Sequence, residues 1–243
     1  MSVWGKIIGT TAGIALGGPL GALLGLTLGA AVDAGIEKTV EDDSTGTRNI
    51  TFTIGVIALA AKMAKADGRV TRDEVDAFKA IFRVPAEEMK NVGRVFDMAR
   101  QHTAGFEAYA RQVEKTMRGN KGVLTDLLDS LFYIAKADGH VHPKELEYIE
   151  VVAGIFGLTG IEIRSLLDRH VGPDPDSPYT ILGVSADISD EDLKKRYRQL
   201  VRETHPDRMI AEGVPSDFIA VATRRAAEIN TAYDKIMAER SKS

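Results

Sequence analysis

The sequence predicts an all-α protein, and three patterns carry that prediction. An uncharged, glycine-ridged stretch near the start has the length of a membrane-spanning helix. A helix–turn–helix unit then occurs twice in the middle of the chain. Apolar residues at helical spacing fill the last part. With 243 residues the chain has room for one large domain or two ordinary ones.

The first pattern lies between Lys6 and Asp33, where the 26 residues from Ile7 to Val32 carry no charge. About 20 apolar residues cross a bilayer core, whereas a cleaved signal peptide has a shorter apolar region of about 7–15. A single transmembrane helix is therefore expected, with residues 1–36 as the anchor and 37–48 as a polar linker. Gly5, Gly9, Gly13, Gly17, Gly21, Gly25 and Gly29 fall at a strict spacing of four. A glycine costs a helix about 0.5–1 kcal/mol relative to alanine. Seven on one stripe thus predict a face where another helix backbone comes close, with a homodimer through this helix as the corresponding expectation. Pro19 is a candidate kink, and a buried helix or apolar hairpin broken at Gly18-Pro19 is the alternative. Lys6 stands on one side and Lys38 and Arg48 on the other, so the positive-inside rule leaves orientation open.

In the middle, Ala64-Lys65-Ala66-Asp67-Gly68-Arg69-Val70 returns 71 residues later as Ala135-Lys136-Ala137-Asp138-Gly139-His140-Val141. Each copy follows an apolar run (Ile54 to Met63; Leu124 to Ile134) and precedes another (Val75–Phe82; Leu146–Phe156). Asp-Gly ends the first helix because glycine accepts positive φ. Thr71-Arg72-Asp73-Glu74 is a capping-box pattern, and Pro143 suits a first helical position. Two such pairs, with more helical sequence near Glu87–Met117, predict one helical bundle over residues 49–170. Asp67, Glu74, Asp138 and Glu145 look like half of a calcium loop. Such a loop needs oxygen ligands at several alternating positions and a glutamate at its twelfth. The four are weak metal candidates, capped turns are their expected role, and no metal or other cofactor is expected. The duplicated Ala-Asp-Gly-x-Val unit resembles the tellurite-resistance TerB-like domain, a helical module, over roughly Asn49–Arg169.

Three prolines in Val171–Pro178 predict a stiff hinge over residues 171–177 and a new domain over 178–243. A short helix from Pro178 should end at Gly183, and Ser189 should cap a second helix with Asp190, Glu191 and Asp192 beside it. In that second helix Leu193, Tyr197, Leu200, Val201 and Thr204 form one mostly apolar stripe. Lys194, Arg198 and Arg202 form a basic one, with Lys195 beside it. A third helix is expected from Ser216 or Asp217 to Met237, with Phe218, Ala222, Ala226, Ile229, Tyr233 and Ile236 facing the second. His205-Pro206-Asp207 stands at the turn, where proline stops the helix.

Four motifs occur in order within 68 residues: Pro178-Tyr179-x-x-Leu182-Gly183-Val184, Leu193-Lys194-Lys195-x-Tyr197-x-x-Leu200, His205-Pro206-Asp207 and Glu228-Ile229-Asn230-x-Ala232-Tyr233-Asp234. Together they resemble the J domain of the DnaJ co-chaperones. The resemblance implies an Hsp70-type chaperone (DnaK) as partner, with His205, Pro206 and Asp207 as the signature that switches on its ATPase. It also places Lys194, Lys195, Arg198 and Arg202 on the helix face that docks on that partner. Gln199 departs from the pattern where a basic residue is common, Arg196 where alanine is, and Thr204 where an aromatic often precedes the tripeptide.

Composition narrows the function classes. The net charge is −4, and from Asp176 to Ser243 there are 11 Lys+Arg against 12 Asp+Glu, which argues against nucleic-acid binding. The basic stripe is instead suited to an acidic protein patch. There is no cysteine for a disulfide, a thiolate nucleophile or Cys-ligated zinc. The remaining histidines (His102, His140, His142, His170) form no HExxH or Ser/His/Asp pattern, so no catalytic residue is expected and the chain is read as not an enzyme. Anchor, TerB-like middle and terminal J domain in this order resemble the membrane-anchored DnaJ-like co-chaperones of Gram-negative bacteria. That resemblance implies both folded domains on the cytoplasmic side of the inner membrane. Two other readings stay open: a membrane-associated scaffold in which the helical domain is primary, and a metal or tellurite stress-response protein acting through the Asp-Gly turns.

Overall fold

The computed structural model describes residues 18–27, 45–66, 68, 70–82, 84–101, 105–117, 120–211, 214 and 218–241, and among these the regular structure is helical throughout. In chain order the helices are α1 (Gly18–Thr27), α2 (Thr45–Met63), α3 (Arg72–Phe82), α4 (Met89–Gln101), α5 (Phe106–Thr116), α6 (Lys121–Ala135), α7 (Pro143–Ile155) and α8 (Gly160–Val171). They continue as α9 (Pro178–Leu182), α10 (Asp190–Glu203), α11 (Pro206–Ala211) and α12 (Ile219–Arg240), and a 3₁₀ turn at Ala86–Glu88 precedes α4.

The first eight helices form a bundle built around α2. Every residue from Ile50 to Ala64 is buried, as befits a helix apolar on all sides. It packs against α4, α5, α6 and α7. Lys62 is the one charged residue of that run: its ammonium lies 4.9 Å from the centre of the Tyr109 ring, and burial pushes its pKa down. The Tyr148 hydroxyl donates to the Leu59 carbonyl at 3.0 Å and so ties α7 to α2. Gly55 sets the approach of α2 and α5, since a Cβ there would lie 2.3 Å from Val113 Cγ2.

The two Asp-Gly turns are built alike. Gly68 and Gly139 adopt φ of 91° and 98°, and their amides donate to Lys65 and Lys136 at 2.9 Å in each case. The second helix of each copy opens with a reciprocal cap. The Thr71 amide donates to Glu74 Oε2 at 2.6 Å and the Glu74 amide to Thr71 Oγ1 at 3.2 Å. In the second copy the His142 amide donates to Glu145 Oε2 at 2.9 Å while His142 Nδ1 accepts from Lys144, with Pro143 at the first helical position. Glu74 and Glu145 are thus committed to helix starts, and Asp138 Oδ1 accepts from the His140 amide at 3.1 Å. Asp67 lies outside the described residues.

Of the expected membrane stretch, Gly18–Thr27 is described. It forms a ten-residue helix that begins at Gly18 (φ 77°) and Pro19, where the sequence suggested a break. It packs on α4 and α5, burying Leu20 and Leu23, and the Leu20 amide donates to Gln112 Oε1 at 3.0 Å. Gly21 is buried in this contact and Gly25 lies further along the same helix. Gly5, Gly9, Gly13, Gly17 and Gly29 fall outside the described residues. No described helix is long and apolar enough to cross a membrane.

Helices α9, α10 and the C-terminal half of α12 make a second, small core of Leu182, Leu193, Leu200, Ile229, Ala232 and Ile236. Gly183 closes α9 in the left-handed region (φ 63°), and the Ser189 hydroxyl caps α10 by accepting from the Asp192 amide at 3.1 Å. Tyr197 stacks on Tyr233 with centroids 4.0 Å apart, and Arg240 of α12 donates to Asp190 at 2.6 Å and to the Ala186 carbonyl at 3.2 Å.

One expectation is overturned here. Phe218 and Ala222 do not face α10. They are buried in the core of the bundle, where the Phe218 ring meets Phe52 edge-on at 5.2 Å and Phe82 at 5.1 Å. Met209 and Val214 join them there. The apolar stripe of α12 serves two cores, its first turns the bundle and its later turns the hairpin with α10.

Gly55→Ala tests the central contact of the bundle. Alanine gains about 0.5–1 kcal/mol of helix propensity, while overpacking against the stiff Val113 costs about 1–3 kcal/mol. Packing should win, so the variant should unfold at lower urea concentration. A raised midpoint would mean that α5 moves aside without penalty.

Candidate functional site

Helix α10 ends at Thr204, whose buried hydroxyl donates back to the Leu200 carbonyl at 2.9 Å. The chain then turns. The Asp207 amide donates to His205 Nδ1 at 3.2 Å, and the Met209 amide donates to the His205 carbonyl at 3.2 Å, which starts α11 at Pro206. The histidine therefore closes the turn that proline opens. The side chains stay in solvent: His205 is 53% and Asp207 89% exposed, and His205 Nδ1 lies 4.0 Å from Asp207 Oδ2. Pro206 is half-buried between them.

Lys194, Lys195, Arg198 and Arg202 are all exposed along α10, and Arg198 Nε donates to the Lys194 carbonyl at 3.2 Å. Arg196 behaves differently. Its Nε donates to the Leu182 carbonyl at 3.1 Å, so it fastens α9 to α10, and burial pushes its pKa down. Gln199 is exposed and donates to Glu203 at 2.9 Å. An open basic helix thus leads into an open His-Pro-Asp turn. The arrangement offers cations and a presented imidazole–carboxylate pair to a macromolecule.

A second polar cluster, hidden from the sequence reading, lies where α12 crosses α6, beside the end of α8. Arg225 of α12 reaches the carboxylates of Asp126 and Asp129 on α6, the latter at 3.3 Å. Asp129 also receives Arg169 at 3.2 Å and lies 2.8 Å from His170 Nε2, while the His170 ring stacks on Phe132 at 4.5 Å. Burial is the largest influence on both carboxyls, but with opposite outcomes. It prevails at Asp126, pushed up to about 6 despite Arg225. At Asp129 it is outweighed by Arg169, Arg225 and His170, which hold the carboxyl below the ordinary range. Beside this cluster is a cleft of about 800 Å³, lined among others by Asp73, Tyr133, Lys136, Asp176, Arg224 and Glu228. The available sequence signal was two carboxylates three residues apart inside the apolar run Leu124–Ile134.

The short helix, basic helix, exposed tripeptide and return helix define a J-domain protein, and residues 177–243 match the family model of the DnaJ domain. Residues 53–168 match the model described as tellurite resistance protein TerB, and residues 1–42 that of the co-chaperone DjlA transmembrane domain. These three models match successive parts of the chain, and the chain is similar to the co-chaperone protein DjlA of several bacteria. Among its relatives, the co-chaperone protein DjlA of Photobacterium profundum is 27% identical, with 79% of each chain covered. That of Shewanella oneidensis is 26% identical over 75% of this chain and 76% of its own, and that of Vibrio cholerae 25% over 81% of each. No solved structure matches the chain.

The buried cluster makes a pH prediction. Asp129 has a depressed folded pKa, so its stabilisation is complete above the ordinary carboxylate value of about 3.9 and is lost as pH falls below it. Asp126 has a raised one, so its contribution is present at low pH and lost as pH rises through about 6. Asp129→Asn strands buried guanidinium groups and should cost about 3–5 kcal/mol at pH 7. Urea titrations from pH 7 to pH 3 should then show a shallower acid decline in the variant than in the wild type. Parallel curves would mean Asp129 is not held as described.

Proposed function

We propose that the chain is a membrane-anchored co-chaperone whose J domain stimulates ATP hydrolysis by an Hsp70-type chaperone, DnaK in bacteria. The carrying observation is the solvent-exposed His205-Pro206-Asp207 turn at the end of the basic face of Lys194, Lys195, Arg198 and Arg202. These side chains are uncommitted to the fold's cores, and such an open basic surface steers association with an acidic protein patch. Hydrolysis itself belongs to the partner: the chain supplies a binding free energy that differs between the partner's states, and so acts as a regulator, not a catalyst.

The match of residues 1–42 to a transmembrane domain, together with the uncharged stretch Ile7–Val32, supports recruitment of DnaK to the inner-membrane surface. Delivery to DnaK requires both folded domains on the cytoplasmic side. Under this reading the glycines from Gly5 to Gly29 are the face through which two anchors pair.

Asp207→Asn keeps size and removes the charge of a side chain that no core contact uses. Steady-state ATP hydrolysis by DnaK should rise at least tenfold with the wild-type chain and stay near its basal rate with the variant. Equal stimulation by both would sink the proposal.

A further inference from the structure

The tripeptide is exposed, yet the backbone on both of its sides is held by the helical bundle. On the upstream side α10 ends against the start of α6: a Cβ at Gly122 would lie 2.5 Å from the Glu203 carbonyl oxygen. Only glycine permits that approach. On the downstream side Met209, two residues after Asp207, is 2% exposed in the bundle core, and the Val214 amide donates to its carbonyl at 2.9 Å. Val214, Phe218 and Ala222 continue the same buried arm, and Arg225 ends it in the carboxylates of α6. The small core made by α9, α10 and α12 includes none of these residues.

We infer that the bundle is the positioning element of the tripeptide: Gly122, Met209 and Phe218 fix the ends of the His205–Asp207 turn, and the J region works at full strength only while docked on the bundle. The geometry excludes the opposite reading, in which docking masks the tripeptide, because His205 and Asp207 stay open in the docked arrangement. An apolar arm of four side chains supplies contact, and the turn between its two fixed ends is held in orientation for the step that triggers hydrolysis, after the basic face has docked.

This inference rests on the Hsp70 reading for its meaning, but its first test does not involve Hsp70. Gly122→Val forces α10 away from α6, and Met209→Ala empties the downstream anchor. Each is made in the full chain, and neither residue belongs to the basic face or the tripeptide. Hydrogen exchange of the Met209 amide, which closes the turn on the His205 carbonyl, and of the Val214 amide, which is bonded to the Met209 carbonyl, should accelerate at least tenfold in both variants. The Leu193 amide, bonded to Ser189 at the far end of α10, should be unchanged. Unchanged exchange at Met209 and Val214 in either variant that folds would overturn the inference. So would equal acceleration at Leu193, which would mark general loosening. If neither folds, the milder Gly122→Ala and Met209→Leu, read the same way, decide it.

The second readout separates positioning from docking. In a DnaK ATPase titration the maximal stimulation should fall about tenfold, while the half-saturating concentration shifts less than about twofold because the basic face is intact. A change in half-saturation alone would contradict the inference. If the wild-type chain does not stimulate DnaK at all, the functional reading fails while hydrogen exchange still decides the positioning claim.

Discussion

Two carboxylates three residues apart on one helix, Asp126 buried and Asp129 mostly so, need cations, and most of the arrangement between the two parts of the chain follows from where those cations come from. Asp126 and Asp129 sit on α6 among apolar neighbours. An isolated ionised carboxyl there would cost several kcal/mol, so partners must be within reach. Arg169 and His170 at the end of α8 supply one side of Asp129, and Arg225 of α12 bridges both carboxylates. Residue 225 lies 99 positions from residue 126. The bundle is therefore electrostatically complete only when α12 is in place.

Ion pairs of this kind give register more than net energy, because desolvation offsets most of the Coulomb gain. The favourable term is apolar. Met209, Val214, Phe218 and Ala222 enter the bundle core, and burying a large apolar side chain is worth about 1.5–3 kcal/mol as an upper estimate. Phe218 seats between Phe52 and Phe82 at ring distances that suit edge and tilted contacts. The apolar arm thus provides attraction and Arg225 the position along α6. The consequence appears one helix earlier: the His-Pro-Asp turn lies between the Gly122 contact and the Met209 anchor.

Features governed by local physics were legible in the sequence. Asp-Gly turns with positive φ, the Thr71/Glu74 cap, the Ser189 cap and Gly183 all depend on residues within a few positions of one another. The amphipathic division of α10 was equally plain, since its apolar stripe faces one small core and its basic stripe faces solvent. Periodicity failed at α12 for a definite reason: it reports which face of a helix is apolar, not how many neighbours share that face. Phe218 and Ile236 lie on the same stripe but in different cores. His142 was also missed as a cap, since histidine is an unusual acceptor for a helix start, although Glu145 three residues later carried half of the signal.

The J region is seated on the bundle as one body and not tethered to it by the proline-rich segment. The natural absence of cysteine allows a direct measurement, with spin labels on cysteines replacing the exposed Arg111 of α5 and Lys235 of α12 in the full chain. Pulsed electron–electron resonance should give one narrow distance distribution, which broadens when Phe218→Ala is added. A broad distribution in the otherwise unaltered chain would contradict the account, because the residues around the tripeptide would then spend most of their time away from the bundle.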